Sequence, residues 1–202
     1  MNRIILVRHG HVEGISPERF RGRADLPLTA EGRRQAAAAA QHIQARWTLA
    51  AVYTSPLSRC RTTAVAIAQP FGLSPAPLED LIDIDYGEWQ GLTPDAVRGR
   101  WPEQLETWYR APDWATIPGG ETLQGVLART TSALREVIGR HPNDTVVMVG
   151  HDSVNRVILL HALQLPLARY WRLGQDPCAI NELDFSEAGF TVQSLNETQH
   201  LK

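Results

Sequence analysis

The chain has 202 residues, which accommodates one domain with a substantial core, since a domain of ~150 residues already buries about 70% of the surface that its unfolded form exposes. Its formal net charge of −2 gives no general attraction to nucleic acid or to an anionic membrane surface, so any anion site must be local. Two cysteines are too few for a secreted disulfide scaffold, and no apolar run reaches the ~18 residues that span a bilayer, which favours a cytoplasmic protein.

Short apolar or β-branched runs, bounded by turn or polar residues, predict the strands. In chain order they lie at residues 4–7, 51–54, 78–82 and 146–149, followed by a terminal pair at 179–185 and 190–195. The predicted helices are one N-capped by Thr29 and ending near residue 47, one from Pro56 or Ser58 to about residue 69, one N-capped by Thr122 and ending near residue 140, and one at 153–163. The polar tail from Asn196 is expected to be loose.

This alternation of strands and helices predicts an α/β fold, a three-layer sandwich with a mostly parallel central sheet flanked by helices. We expect a single domain over residues 1–202. Between Gly91 and Gly119 lies a segment rich in proline and aromatic residues, Trp108 among them. This insert, at about residues 92–118, either forms a small cap over the substrate or is a packed surface excursion.

Basic side chains follow three of the predicted strands. Arg8, His9 and Gly10 come directly after the first strand. Arg59 follows the second strand, and His151 follows the strand at 146–149. Ligands of parallel sheets gather at the carboxyl ends of the strands. Guanidinium groups hold a phosphate dianion through planar, bidentate contacts, and a glycine lets the backbone approach closely. The pattern therefore predicts a phosphate site.

Six short segments, in order along the chain, resemble the histidine phosphatase superfamily in its phosphoglycerate mutase-like branch. The likeness extends from Ile4 to about Phe185. The segments are Leu6-Val7-Arg8-His9-Gly10, Gly22-Arg23-Ala24-Asp25-Leu26-Pro27-Leu28-Thr29 with Gly32, Thr54-Ser55-Pro56-Leu57-Ser58-Arg59, Tyr86-Gly87-Glu88-Trp89-Gln90-Gly91, Gly119-Gly120-Glu121-Thr122 and Val149-Gly150-His151. Each segment alone is weak, and their common order and spacing make the match specific.

The resemblance implies the phosphoglycerate mutase-like fold and a role for each matched residue. His9 matches the family nucleophile, which attacks phosphorus through a neutral ring nitrogen and forms a phosphohistidine that water hydrolyses. His151 matches the second family histidine, which donates hydrogen bonds to the phosphoryl oxygens. Arg8 and Arg59 match the arginines that bind the phosphate, with Gly10 beside them.

The general acid has two candidates. The family usually has a glutamate at the position of Asp83, whose shorter side chain retracts the carboxyl group by roughly 1.5 Å, so that a shift of backbone or substrate must compensate. Other branches place an acid directly after the second histidine, where this chain has Asp152. We expect Asp83 to donate the proton, with Asp152 as the alternative and as a candidate substrate-binding residue.

The chain also departs from the family near the phosphate site. Ile15 stands where an asparagine donor is common, and His11 replaces a common glutamate. Arg21, next to Gly22, stands where many relatives have a neutral polar residue. It either replaces the missing donor, binds a second anionic group of the substrate, or is an exposed surface charge. We include Arg21 and Gly22 among the expected phosphate-binding residues.

Together these features predict a metal-independent phosphatase that hydrolyses small phosphorylated metabolites, with no cofactor, no nucleic-acid partner and no membrane partner. Phosphoglycerate mutase activity is the nearest alternative, although the insert is shorter than the mutases carry. A phospholigand-binding protein without turnover is another. A metal hydrolase using His9, His11, His151 and Asp152 would need a β/α barrel of ~250 residues. A homodimer is common in the family and is kept as an expectation.

Overall fold

The computed structural model describes residues 2–202. Its six strands are β1 (Asn2–Arg8), β2 (Ala51–Thr54), β3 (Ala76–Pro77), β4 (Thr145–Gly150), β5 (Ile180–Ser186) and β6 (Gly189–Glu197). They form one sheet in the order β3-β2-β4-β1-β5-β6, in which the first four strands are mutually parallel. Strand β5 pairs antiparallel with β1, and β6 pairs antiparallel with β5. The α/β fold with a mostly parallel central sheet is confirmed.

The helices are α1 (Ala30–Arg46), α2 (Ser58–Ala68), α3 (Pro94–Arg100), α4 (Pro102–Arg110), α5 (Leu123–Arg140) and α6 (Asp152–Ala162). Both predicted N-caps are confirmed: the Thr29 hydroxyl accepts from the amide of Gly32 at 3.0 Å, and the Thr122 hydroxyl accepts from that of Gly125 at 3.2 Å. Of the two predicted starts for α2, the structure has Ser58. Within residues 2–202 no helix is long and apolar enough to cross a bilayer.

The continuous apolar runs of β1 and β4 produce the three layers, because successive side chains point to opposite faces of a strand. Ile4 and Leu6 of β1 belong to a core that α5 and α6 cover, while Ile5 and Val7 belong to a second core covered by α1 and α2. Both central strands are therefore anchored from two sides. Their carboxyl ends, where the basic residues lie, are held in a fixed place.

The predictions for residues 78–82 and for the tail from Asn196 are wrong. The predicted strand at 78–82 is a 3-10 turn at Glu79–Leu81, and the strand is instead the two-residue β3. Pro77 has no amide hydrogen to continue a ladder, which confines it to an edge strand. The predicted loose tail is also wrong, because β6 continues to Glu197 and the His200 ring hydrogen-bonds the carbonyl of Cys178 at 3.1 Å.

The insert at 92–118 consists of α3, α4 and a 3-10 turn at Pro112–Trp114. Its Trp108 is buried, with its ring 5.9 Å from that of Tyr86 and 5.5 Å from that of Trp171, and the Trp171 indole donates to the Trp108 carbonyl at 2.7 Å. Trp114 is exposed. One aromatic face of the insert thus packs on the body of the domain, and Trp108 is its anchor.

Gly10 and Gly32 lie against each other where the loop after β1 passes the first turn of α1. A Cβ at Gly10 would overlap the carbonyl oxygen of Gly32, and a Cβ at Gly32 would overlap that of His11. The sequence explained Gly10 by a close approach of substrate to the backbone. The structure adds a different constraint, which is the contact with α1.

Gly32→Ala is therefore expected to lower the free energy of unfolding by about 1–3 kcal/mol, because backbone on both sides leaves no room for a methyl group. Gly139→Ala is the matched control: Gly139 lies in α5 with open space around it, so alanine should raise the stability by up to about 1 kcal/mol. Urea unfolding measures both values. Equal effects of the two substitutions would contradict the close contact.

Candidate active site

The two histidines meet because β1 and β4 are neighbours in register. Arg8 pairs with Gly150 across the strands, and the amide of His9 donates to the Gly150 carbonyl at 3.0 Å. The rings of His9 and His151, each one residue beyond its strand, therefore lie 5.2 Å apart, edge to face. Both are buried.

Arg59 joins the remaining parts of the site. Its fully buried guanidinium donates to the carbonyl oxygens of Gly22 and Ala24, each at 2.7 Å, and to Asp83 Oδ2 at 3.1 Å. Its Nε donates to His151 Nδ1 at 3.2 Å. Gly22 adopts a positive φ of 48°, which turns its carbonyl within reach of Arg59.

The tautomer of His9 is fixed by one hydrogen bond. Its Nδ1 lies 2.7 Å from the carbonyl oxygen of Gly10, which can only accept, so Nδ1 carries the proton and Nε2 carries the lone pair. Burial, with the adjacent His151, Arg59 and Arg8, holds the pKa of His9 well below its ordinary value. The ring is therefore neutral at physiological pH, as a nitrogen nucleophile requires.

His151 is oriented by Ser55, a residue that the sequence analysis missed. Ser55 Oγ lies 2.7 Å from His151 Nε2, and Cys60 Sγ lies 3.4 Å from the same nitrogen. Burial, followed by the charge of Arg59, holds the pKa of His151 well below its ordinary value. A signal for Ser55 existed in the sequence, since it follows β2 as His9 follows β1.

Arg8 leaves a donor unused. Its Nη1 donates to the carbonyl oxygen of Gln175, a second residue that the sequence analysis missed, whereas its buried Nε has no hydrogen-bond partner. A buried guanidinium nitrogen without a partner is costly, so an anion at this point would satisfy it.

Asp83 lies in the site, although the strand predicted for its segment is absent. Its Oδ1 accepts from the amide of Ile84 at 3.0 Å, and its Oδ2 lies 3.5 Å from His151 Nδ1. Arg129 of α5 holds the backbone of this segment by donating to the carbonyls of Asp80 and Ile82 at 2.7 and 2.6 Å. Arg129 thus fixes the segment that places the Asp83 carboxylate beside Arg59 and His151.

Glu121 fixes Arg129 in turn, through a two-point ion pair at 2.8 and 3.0 Å. Glu121 belongs to the Gly119-Gly120-Glu121-Thr122 segment that the sequence analysis identified by resemblance alone. The structure gives that segment a physical function, which is to hold the loop that carries Asp83.

A narrow pocket opens beside His9. Its lining also contains Glu18, Arg19, Phe20, Arg21, Gly22, Asp83, Tyr86, Trp108, Asp152, Ser153 and Trp171. The predicted residues Arg21, Gly22, Asp83 and Asp152 therefore share one pocket with the nucleophile. Trp108 comes from the insert, as the cap prediction requires, and the role of a cap stays a prediction.

Arg21 is half-buried, and no carboxylate in the described part of the chain forms an ion pair with it. Its Nη1 donates to the carbonyl of Gly14 at 2.6 Å. Burial, together with the nearby Arg8, lowers its pKa. Of the alternatives for Arg21, an exposed surface charge is therefore wrong.

His11 lies apart from this pocket and hydrogen-bonds the Thr29 hydroxyl at 3.0 Å. Within residues 2–202, no three His, Cys, Asp or Glu side chains converge as ligands of a metal ion. The alternative set of His9, His11, His151 and Asp152 is not assembled as a metal site in this arrangement.

The model for the histidine phosphatase superfamily (branch 1) matches residues 4–198. The chain belongs to this family. Phosphoserine phosphatase 1 of Hydrogenobacter thermophilus is 34% identical over 201 residues, covering 100% of this chain and 95% of the relative. Among solved structures, Bacillus stearothermophilus YhfR has a TM-score of 0.95 at 26% identity, and a phosphoserine phosphatase mutant from Entamoeba histolytica, in complex with phosphoserine, has 0.90 at 25%, both covering 100% of each chain.

These likenesses confirm the predicted family and the phosphoglycerate mutase-like fold. They also confirm the predicted class of enzyme: the protein is a phosphatase that acts on small phosphate esters.

The two neutral histidines make stability depend on pH. Below pH ~6.5 the unfolded chain binds protons at both positions and the folded protein does not. The free energy of unfolding therefore decreases as the pH is lowered, by up to about 1.4 kcal/mol per pH unit for each histidine. The double variant His9→Asn/His151→Asn is expected to show a shallower fall between about pH 7.5 and 5.5. His161→Asn, at an exposed histidine, should keep the wild-type slope, and equal slopes for all three proteins would contradict the buried neutral pair.

Proposed function

We propose that the protein hydrolyses phosphate monoesters without a metal, through a phosphohistidine at His9 Nε2, and that its substrates are small phosphorylated carboxylic acids such as O-phosphoserine. The observation that carries the mechanism is the fixed tautomer of His9. The His9 ring lines the pocket and has its lone pair on Nε2, and the charges of Arg59 and Arg8 act on this ring.

In the first step the Nε2 lone pair attacks phosphorus while the bond from phosphorus to the ester oxygen breaks. Asp83 gives its proton to the departing alkoxide. In the second step the Asp83 carboxylate takes a proton from water, the oxygen of that water attacks phosphorus, and the bond from nitrogen to phosphorus breaks. Inorganic phosphate leaves, and His9 and Asp83 return to their first states.

Arg8 and Arg59 stabilise the charge on the equatorial oxygens during both steps. The unpartnered Nε of Arg8 supplies one donor. In the described arrangement Arg59 Nε donates to His151 Nδ1 at 3.2 Å, so the His151 proton lies on Nε2, where the Ser55 hydroxyl accepts it. For His151 to donate from Nδ1 to a phosphoryl oxygen, its proton must move to Nδ1 and Arg59 Nε must turn from His151 to the phosphate. The Ser55 hydroxyl can then donate to Nε2, so this nitrogen stays paired in both tautomers.

The carboxylic-acid class rests on Arg21. A half-buried guanidinium without a carboxylate partner, in the same pocket as the nucleophile, suits a ligand that carries an anionic group beyond its phosphate. Phosphoserine, which the relative from H. thermophilus is named for and the structure from E. histolytica contains, is such a ligand.

The mechanism predicts metal-free turnover that depends on His9. Wild type should release inorganic phosphate from p-nitrophenyl phosphate in excess EDTA, and His9→Ala should lower kcat/KM by at least ~10³-fold because the nucleophile is gone. His161→Ala is the control and should retain wild-type activity. Turnover by His9→Ala would overturn the assignment. With 3-phosphoglycerate as the substrate, formation of 2-phosphoglycerate in place of inorganic phosphate would favour the mutase alternative.

Arg21→Ala tests the substrate class. Loss of a charge-assisted contact should lower kcat/KM for O-phosphoserine by about 30-fold. The kcat/KM for p-nitrophenyl phosphate, which has no carboxylate, should change by less than about threefold. Arg34→Ala, at an exposed position of α1, is the matched control and should change neither value. Equal losses on both substrates would show that Arg21 serves the phosphate and not a second anionic group.

A further inference from the structure

The pocket beside His9 carries opposite charges on different residues of its lining. Arg21 supplies a cation without an acidic partner, and Asp152 supplies a carboxylate. Asp152 lies in the first turn of α6, directly after His151. Its Oδ1 accepts from Arg156 Nε at 2.8 Å, whereas its Oδ2 has no hydrogen-bond partner among the described residues.

Arg156 holds this carboxylate in one orientation. Its guanidinium lies 5.3 Å from the ring centres of both Tyr170 and Trp171, and its Nη1 donates to the Tyr170 carbonyl at 3.2 Å. With the arginine fixed by two aromatic rings and a carbonyl, the Asp152 carboxylate is fixed as well. Such a preorganised carboxylate loses little entropy when it accepts a hydrogen bond from a ligand.

The other carboxylates of the pocket are not equivalent to Asp152. Asp83 is bound to Arg59 and lies 3.5 Å from His151 Nδ1, at the position proposed for proton transfer. Glu18 is exposed, so solvent screens its charge. Asp152 is therefore the partly enclosed anion with an oxygen to spare.

We propose that Asp152 binds the α-ammonium group of an O-phospho-amino acid and makes the enzyme selective for phosphoserine over phosphoglycerate. This inference rests on the proposed function, in which Arg21 binds the α-carboxylate and Arg8 and Arg59 bind the phosphate. The two compounds differ only at the second carbon, which carries an ammonium group in one and a hydroxyl group in the other. An ammonium donates to a carboxylate more strongly than a neutral hydroxyl does.

The role of a specificity residue predicts a different pattern from the role of a general acid. A general acid serves every poor leaving group, so its loss reduces hydrolysis of phosphoserine and 3-phosphoglycerate alike and spares p-nitrophenyl phosphate. An ammonium-binding residue serves phosphoserine alone. Asp152→Asn keeps an oxygen that can accept from Arg156, so the substitution removes the charge and preserves the contact with Arg156.

The experiment measures kcat/KM for these three substrates with wild type, Asp152→Asn and Asp83→Asn. Asp95→Asn, at an exposed position of α3, is the charge-matched control. Wild type should prefer phosphoserine over 3-phosphoglycerate. Asp152→Asn should lower the value for phosphoserine by about 30-fold and change the other two by less than about threefold. Asp83→Asn should lower kcat/KM for phosphoserine and for 3-phosphoglycerate by the same factor.

Several results would overturn the inference. Equal losses on phosphoserine and 3-phosphoglycerate with Asp152→Asn would identify a general acid if p-nitrophenyl phosphate is spared, and a structural role if it is not. No change on phosphoserine would exclude the contact. Equal kcat/KM of wild type for phosphoserine and 3-phosphoglycerate would exclude an ammonium site and would agree with the proposed function. Turnover of p-nitrophenyl phosphate alone would overturn the proposed substrate class together with this inference.

Discussion

The buried guanidinium of Arg59 is the interaction on which the assembly of the site depends. Its donors reach the 22–24 loop, Asp83 and His151, which come from three separate parts of the chain. A buried arginine requires partners for its donors, and removing one would leave an uncompensated polar group. Since α2 presents Arg59 from a helix packed in one core, the loops that carry Gly22 and Asp83 are held against a fixed helix.

The sequence predicted the parts of the site that lie at strand ends. A continuous apolar run indicates a buried parallel strand, and the carboxyl ends of parallel strands meet at one edge of the sheet. His9 and His151 are examples, and so are the caps Thr29 and Thr122, whose hydroxyl groups act locally. The resemblance added Asp83, which no local pattern would have found.

What the sequence could not supply is the contact between distant segments. The support of Asp83 by Arg129 and Glu121, and of His151 by Ser55, depends on side chains that meet only after folding. The strand predicted at 78–82 fails for a similar reason. Its apolar residues are buried by packing of a 3-10 turn, as Leu81 shows, and not by pairing in the sheet.

The positive charge around His9 has two consequences that support each other. Arg8 and Arg59 attract the phosphate dianion, and the same charges, added to burial, keep the His9 ring unprotonated. A protonated ring would have no lone pair for phosphorus, so the groups that bind the substrate also maintain the nucleophile. Arg21 adds a further cation to the pocket, and burial and the charge of Arg8 lower its pKa although Asp83 acts in the opposite direction. A ligand that brings the missing negative charge relieves this repulsion, and its binding must then stabilise the folded protein.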